Sequence, residues 1–457
     1  MTKYPLIIGA FLLPVTVWAQ NIEPQAEETP PDVTETEVVE ATEGSVESTE
    51  TTVQTAPPPP VVEAEPAPSA VSAVEPNGGV LVNPPSLSNH PVDVALNVEQ
   101  REEGVENPYL WNLRIGGYLR TGFTDIQNDP NNDLFGRNDG FVVASARLTI
   151  EGDILEQLTF RLQLDGAIDQ DLGGTRPLSQ LDTRLRDAII AWKPLDFVRI
   201  NAGQFKAPFE VEETYSRAEQ LFVQNSVASR GVGVTEGFAV DGLARDREAG
   251  VMLDAPIIRF GSEDGLGVRY ALALTNGRPA SLQGNDNDSF ATYGRLEVYW
   301  AEMVRLGGAV QINEERLQAE EADFIDQDVF GFTADLTFQH SGVTLIGNFT
   351  QTTSEIAAIS AQPSVTSTGY QVSLAYQEPF FGFQPAFRYA YLDPTSDTSG
   401  QTPDPLFEND ARTFYTIGLN YNPDYPIRLM LNYTITDEES AVALENNRFD
   451  ALLQVVF

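Results

Sequence analysis

The chain of 457 residues carries 67 acidic against 27 basic side chains, a formal charge of −40, no Cys and two histidines, His90 and His340. That charge excludes nucleic acid as a partner, because binding DNA or RNA rests on neutralising phosphates with Lys and Arg. Without Cys there are no disulfides, thiolate metal sites or Cys nucleophiles, and two histidines leave no material for a His-based triad or metal centre. No metal, cofactor or enzymatic activity is expected, and the length fits either several soluble domains or one large barrel.

Residues 1–19 read as a secretory signal: Lys3 gives the positive start, Pro5 to Val17 is a short apolar run, and Val17-Trp18-Ala19 offers a small-residue cleavage site. The run falls short of the ~20 residues of a spanning helix. Residues 20–108 hold 18 Asp or Glu, one base (Arg101) and 14 of the 30 prolines. Such a segment has little to bury and repels itself, so a disordered periplasmic spacer is expected. The remainder, 109–457, carries 49 acids and 25 bases, about −24.

From Tyr109 onward the dominant pattern is apolar/polar alternation, which signals strands with one apolar face. Trp111, Leu113, Ile115, Leu119 and Phe123 oppose Asn112, Arg114, Tyr118 and Arg120, and the last segment sets Phe449, Ala451, Leu453, Val455 and Phe457 against Arg448, Asp450 and Gln454. Sixteen segments fit: 109–125, 139–153, 157–169, 180–193, 196–206, 245–254, 265–275, 289–300, 303–313, 327–339, 342–353, 365–377, 381–393, 410–422, 425–437 and 447–457. The even count and the lengths favour an all-β, 16-stranded antiparallel transmembrane β-barrel. Short turns follow even strands and longer loops follow odd ones, with Ala255 to Asp264 the one long even-side connection. In outer-membrane barrels the short turns face the periplasm, so the acidic stretch belongs there. Aromatic residues near strand ends, such as Trp300, Tyr376, Tyr391, Tyr421 and Phe457, suit interface girdles in contact with outer-membrane lipid.

Gly203-Gln204-Phe205-Lys206-Ala207-Pro208-Phe209-Glu210 resembles the motif of the phosphate-selective porin O and P family. Ser145-Ala146-Arg147-Leu148 leading to Glu151-Gly152-Asp153, Arg245-Asp246-Arg247-Glu248-Ala249-Gly250-Val251, and Thr275-Asn276-Gly277 are similar to it in the same order. The resemblance runs from about residue 109 to Phe457 and implies a trimeric, 16-stranded porin whose third outer loop folds into the lumen. It identifies Lys206, Pro208 and Phe209 as motif positions.

Residues 207–244 are the longest interruption of the strand pattern, and a long loop in a compact fold usually has a task. An eyelet is the expected one, with Lys206, Pro208, Phe209, Glu210, Glu212, Glu213, Arg217 and Arg230 as candidate constriction residues. By parity Lys206 falls on the apolar side, so it must lie past the strand end or beyond a bulge. Phosphate-selecting members concentrate lysines at the narrow zone, whereas the folded region has only Lys193 and Lys206. Phosphate specificity therefore does not follow from the resemblance.

Parity also sorts the wall charges. Arg114, Arg120, Arg147, Arg161, Arg199, Arg269, Arg295, Arg305, Arg388, Arg412, Arg428 and Arg448 take the polar face, opposed by Glu151, Asp165, Glu297, Asp335 and Asp450. An Arg facing lipid at mid-depth costs roughly 2–4 kcal/mol, so these side chains should face a water-filled lumen. There they can attract anions, or pair across strands and with loop carboxylates and stiffen the wall.

The clusters Asn128 to Asp133 and Asn285 to Asp288 lack an EF-hand spacing and read as turns. The expectation is a channel of a Gram-negative-type outer membrane passing small hydrophilic solutes or anions. The rival is a barrel serving chiefly as an anchor, its acidic segment binding a periplasmic or cell-wall component.

Overall fold

The computed structural model describes residues 111–457 except 131–135, 137–138, 155–156, 169–180, 234–235, 262–264, 278–283, 286, 302, 319–323, 357–363, 400–409, 425 and 439–443. The secretory and acidic segments lie outside the described residues. Sixteen wall strands follow in order. They are β1 (Trp111–Ile126), β2 (Gly140–Ile154), β3 (Leu158–Ile168), β4 (Leu181–Leu195), β5 (Val198–Lys206) and β6 (Arg247–Asp254, resuming at Ile258–Phe260). Then come β7 (Leu266–Thr275), β8 (Ala291–Trp300), β9 (Val304–Gln318), β10 (Phe324–His340) and β11 (Val343–Ile356). The last are β12 (Ser364–Tyr376), β13 (Phe383–Ser399), β14 (Arg412–Asp424), β15 (Ile427–Glu438) and β16 (Arg448–Val456).

Every strand pairs antiparallel with its chain neighbour, and β1 pairs with both β2 and β16, which closes the sheet. Closure leaves no unpaired edge, the condition for a sheet to sit in lipid. The alternation becomes two surfaces: on β7 Leu272 and Leu274 point out and are exposed, while Ala271 and Ala273 are buried.

Two features depart from the alternation pattern. The long connection at Ala255 to Asp264 is a broken strand, since Ile258–Phe260 rejoins the ladder against β7. The β9–β10 hairpin also runs to Gln318 and Phe324, past the expected ends at 313 and 327. Arg316 pairs there with Asp326 across the hairpin at 2.8 Å. Beyond the membrane both faces of a strand meet water, so the apolar period stops while the hydrogen-bond ladder continues.

β5 and β6 pair directly, although residues 207–246 intervene. That loop contains α1 (Val211–Thr214), a 3₁₀ turn (Arg217–Glu219), α2 (Val227–Arg230) and a miniature hairpin (Gly231–Val232 with Val240–Asp241).

Candidate functional site: the inward loop and the charged wall

The motif at the end of β5 builds the entry to the loop. β4 carries one extra residue, Arg186, between the pairs Gln163 with Asp187 and Leu164 with Leu185. Such a bulge frees backbone carbonyls, and Gln204 Nε2 donates to two of them, Leu185 O at 2.8 Å and Arg186 O at 2.6 Å. Gly203 makes this possible at φ +123°, where a Cβ would lie 1.9 Å from the Ala188 carbonyl. The last β4–β5 pair is Ala188 with Gln204, so Phe205 and Lys206 lie beyond the ladder to β4. Lys206 is the last residue of β5 and lies beyond this irregularity, as its parity demanded. Gly203→Ala is expected to cut the yield of assembled barrel at least severalfold, read as loss of the heat-modifiable folded band on a gel.

Past Lys206 the loop is seated on the inner wall by apolar side chains. Phe209 is fully buried and packs with Phe205, Ala273, Tyr293 and Ala309; a Cβ at Gly331 would come within 2.7 Å of its ring. Phe222 packs against Ala375 and Ala386, Val223 against Met430 and Leu452, and Val227, Val232 and Leu243 against Ala390, Leu392 and Phe414. These apolar residues of β12–β16 sit on the otherwise polar inner face, and they are the mark in the sequence of where the loop lies down.

Polar contacts lock the same path. Glu210 caps α1, accepting from the Glu212 and Glu213 amides at 2.8 and 3.1 Å, and Asn348 donates to it from β11. Burial and the neighbouring Glu212 push the Glu210 carboxyl well above its ordinary range. Glu212 accepts from Ser226 Oγ at 2.6 Å, Ser229 Oγ at 2.7 Å and Arg388 at 3.2 Å, and Asn225 donates to Glu213. Arg120 donates to Val223 O at 3.2 Å, Arg388 to Gln224 O at 3.0 Å, and Arg428 to Gln220 O at 2.7 Å. Arg230 pairs with Glu236, which also takes Arg448. Pro208 stands beside Lys206, Thr214 and Arg295 around a small cavity between loop and wall.

The other wall arginines are held by carboxylates. Arg114 lies near Glu151 and Asp153, Arg147 binds Asp165 at 2.6 Å, and Arg161 binds Glu151. Arg199 and Arg269 share Asp254. Arg295 bridges Glu297 at 2.7 Å and Asp335 at 2.6 Å, with Arg305 on the second oxygen of Asp335. Arg412 faces Glu438, and Arg448 binds Asp450 at 2.9 Å. The parity count placed five acids on the wall; Asp187, Asp254 and Glu438, together with Glu212 and Glu236 of the loop, also serve it. The cross-strand and loop pairing envisaged for these arginines is what the geometry displays.

One region differs. Arg120 on β1 lies within charge range of Arg147 on β2 and Arg217 on the loop. Arg186 on β4 lies within charge range of Arg147, Arg217 and Arg247. The carboxylates among them are Asp165, Asp187, shared by Arg247 and Arg161, and Asp246, shared by Arg186 at 3.0 Å and Arg247 at 2.9 Å. These cations hold the Asp246 carboxyl far below its usual range against the cost of its burial. The Nε atoms of Arg120 and Arg186 are buried with no protein acceptor, as are those of Arg305, Arg388, Arg412 and Arg428 elsewhere on the wall. Arg186, Arg247, Asp187 and Asp246 were not among the sequence candidates; the bulge at Arg186 breaks the parity of β4, and Asp246 and Arg247 stand at the junction of loop and β6, where alternation has only begun.

The phosphate-selective porin O and P family matches residues 113–290. Among solved structures, the outer membrane channel DcaP of Acinetobacter baumannii is 13% identical at TM-score 0.55, covering 76% of this chain and 97% of its own. An anion-selective porin from Comamonas acidovorans is 13% identical at TM-score 0.50, covering 76% and 100%. OmpT of Vibrio cholerae, solved in trimer form, is 10% identical at TM-score 0.50, covering 76% and 99%. No curated protein matches. With its closed 16-stranded wall and inward third loop the chain has the porin fold, and the phosphate-selective porin O and P match over residues 113–290 supports an outer-membrane channel for small solutes.

Proposed function

We propose that solutes cross by passive diffusion between the inward loop and the arc β1–β6, and that this passage prefers anions. The loop lies mainly on β7–β16 and touches β1 through Arg120, and the guanidinium cluster stands where β1–β6 meet the loop residue Arg217. The observation that carries the reading is the gathering of Arg120, Arg147, Arg186, Arg217 and Arg247 around Asp165, Asp187 and Asp246. Cations crowded on one another in a low-dielectric wall lower the free energy of a passing anion and raise that of a cation. Guanidiniums also offer paired donors to oxyanions. The test is a reversal potential across a KCl gradient in a planar bilayer; cation preference would sink the reading. A trimer is the proposed assembly, supported by the family resemblance. β1 enters on the side of the short turns, which supports a periplasmic position for residues 20–108.

Glu219 adds a pH dependence. Burial pushes its carboxyl up to about 7, against the hydrogen bond at the Ser216 backbone and the charge of Lys206. Below that pH the group is neutral, and above it a negative charge enters the loop. The anion-to-cation permeability ratio is therefore expected to fall as pH rises from 6 to 8, and Glu219→Gln to flatten that profile at its low-pH value.

A further inference from the structure

The single lysine of the family motif donates to loop carbonyls, as Arg120, Arg388 and Arg428 do. We propose that Lys206 is a positioning residue that pins the constriction loop from behind, and that it is not a charge met by the solute. The proposal rests on the reading that this loop narrows the lumen. Lys206 Nζ donates to Glu213 O at 2.6 Å and to Tyr215 O. Both carbonyls close the C-terminal end of α1, a turn with no basic residue of its own. Helix ends leave such carbonyls without partners and carry partial negative charge, and an ammonium answers both needs.

The other end of α1 is held by Glu210, itself bound by Asn348 of β11. Tyr215, the residue after the turn, is buried with Arg305 4.9 Å over its ring and its hydroxyl 3.3 Å from that of Thr337. The turn is thus gripped from β5, from β11 and from β9–β10. A solute approaching Lys206 would have to displace two main-chain carbonyls.

The experiment uses the full-length protein in planar bilayers. Lys206→Met is expected to raise open-channel current noise severalfold and to lower the voltage at which the channel closes. The pair Ala218→Cys and Gln454→Cys lies where Gln454 donates to Ala218 O at 3.0 Å, in a chain without native cysteine. Oxidising that pair in the Lys206→Met background should restore the quiet current and the parental permeability ratio. A quiet Lys206→Met channel overturns the proposal, as does noise that the cross-link leaves in place. So does a permeability ratio that stays, with the cross-link closed, as low as that of Arg186→Gln. If Lys206→Met does not assemble, Lys206→Gln, which keeps a donor, is read the same way at smaller amplitude. Cation preference in the parent channel would refute the anion reading while leaving the noise measurement intact.

Discussion

Replacing Arg186 and Arg217 together by Gln is expected to lower the chloride-to-potassium permeability ratio by at least tenfold, since each guanidinium is worth about 1 kcal/mol to an ion 4 Å away at water-like dielectric. The two side chains come from different elements, the bulge of β4 and the 3₁₀ turn of the loop, yet act on one another. Each single variant should give part of the change. The pair Arg199→Gln and Arg269→Gln removes as much formal charge from arginines that share Asp254. If the two pairs shift the reversal potential equally, selectivity is a property of the whole lumen and not of this cluster. The contrast should fade in 1 M salt, where the screening length is about 3 Å.

Arg295→Met is expected to cost the barrel about 3–5 kcal/mol, the usual loss when one member of a buried ionic network is removed and its partners stay charged. Arg295 is almost fully buried, bridges Glu297 and Asp335, and donates to Phe209 O at 2.9 Å. Its loss would therefore weaken the wall and unfasten the loop at its first anchor. The readout is the urea concentration that converts the folded gel band to the unfolded one. Arg295→Met combined with Asp335→Leu should recover part of the loss, because it removes a stranded carboxylate. A single variant as resistant as the parent would show that Arg305 and Arg269 suffice.

The wall was legible because lipid imposes a strict period. Every outward position must be apolar, so the sixteen strands, the inward arginines and the alternation of short and long connections all stood in the sequence. The loop was legible as an interruption, and its seat was written in Ala390, Leu392, Phe414, Met430 and Leu452, apolar residues on a polar face. Partnership was not legible. Asp187 and Asp254 meet their arginines across strands, and Glu212 and Glu236 reach theirs from the loop, at sequence separations from 15 residues for Arg269 and Asp254 to 212 for Arg448 and Glu236. Parity assigns a face and says nothing of the opposite wall. It also failed where the backbone left its period, at Arg186 and Gly203, which are the places that shape the narrow zone.

The bulge in β4 bears on how chains of this kind should be compared. One residue separates the stretch in which Asp187 faces inward from the stretch in which Arg184 does. A relative lacking that residue would keep its barrel and its ladder, yet every position from 183 to 185 would exchange lumen for lipid. An alignment that slides its gap into the neighbouring outer loop would then equate inward arginines with outward leucines. Gaps in β4 therefore belong at Arg186, and a glutamine at the position of Gln204, the residue that caps the bulge, is the companion to look for when deciding whether a relative shares it.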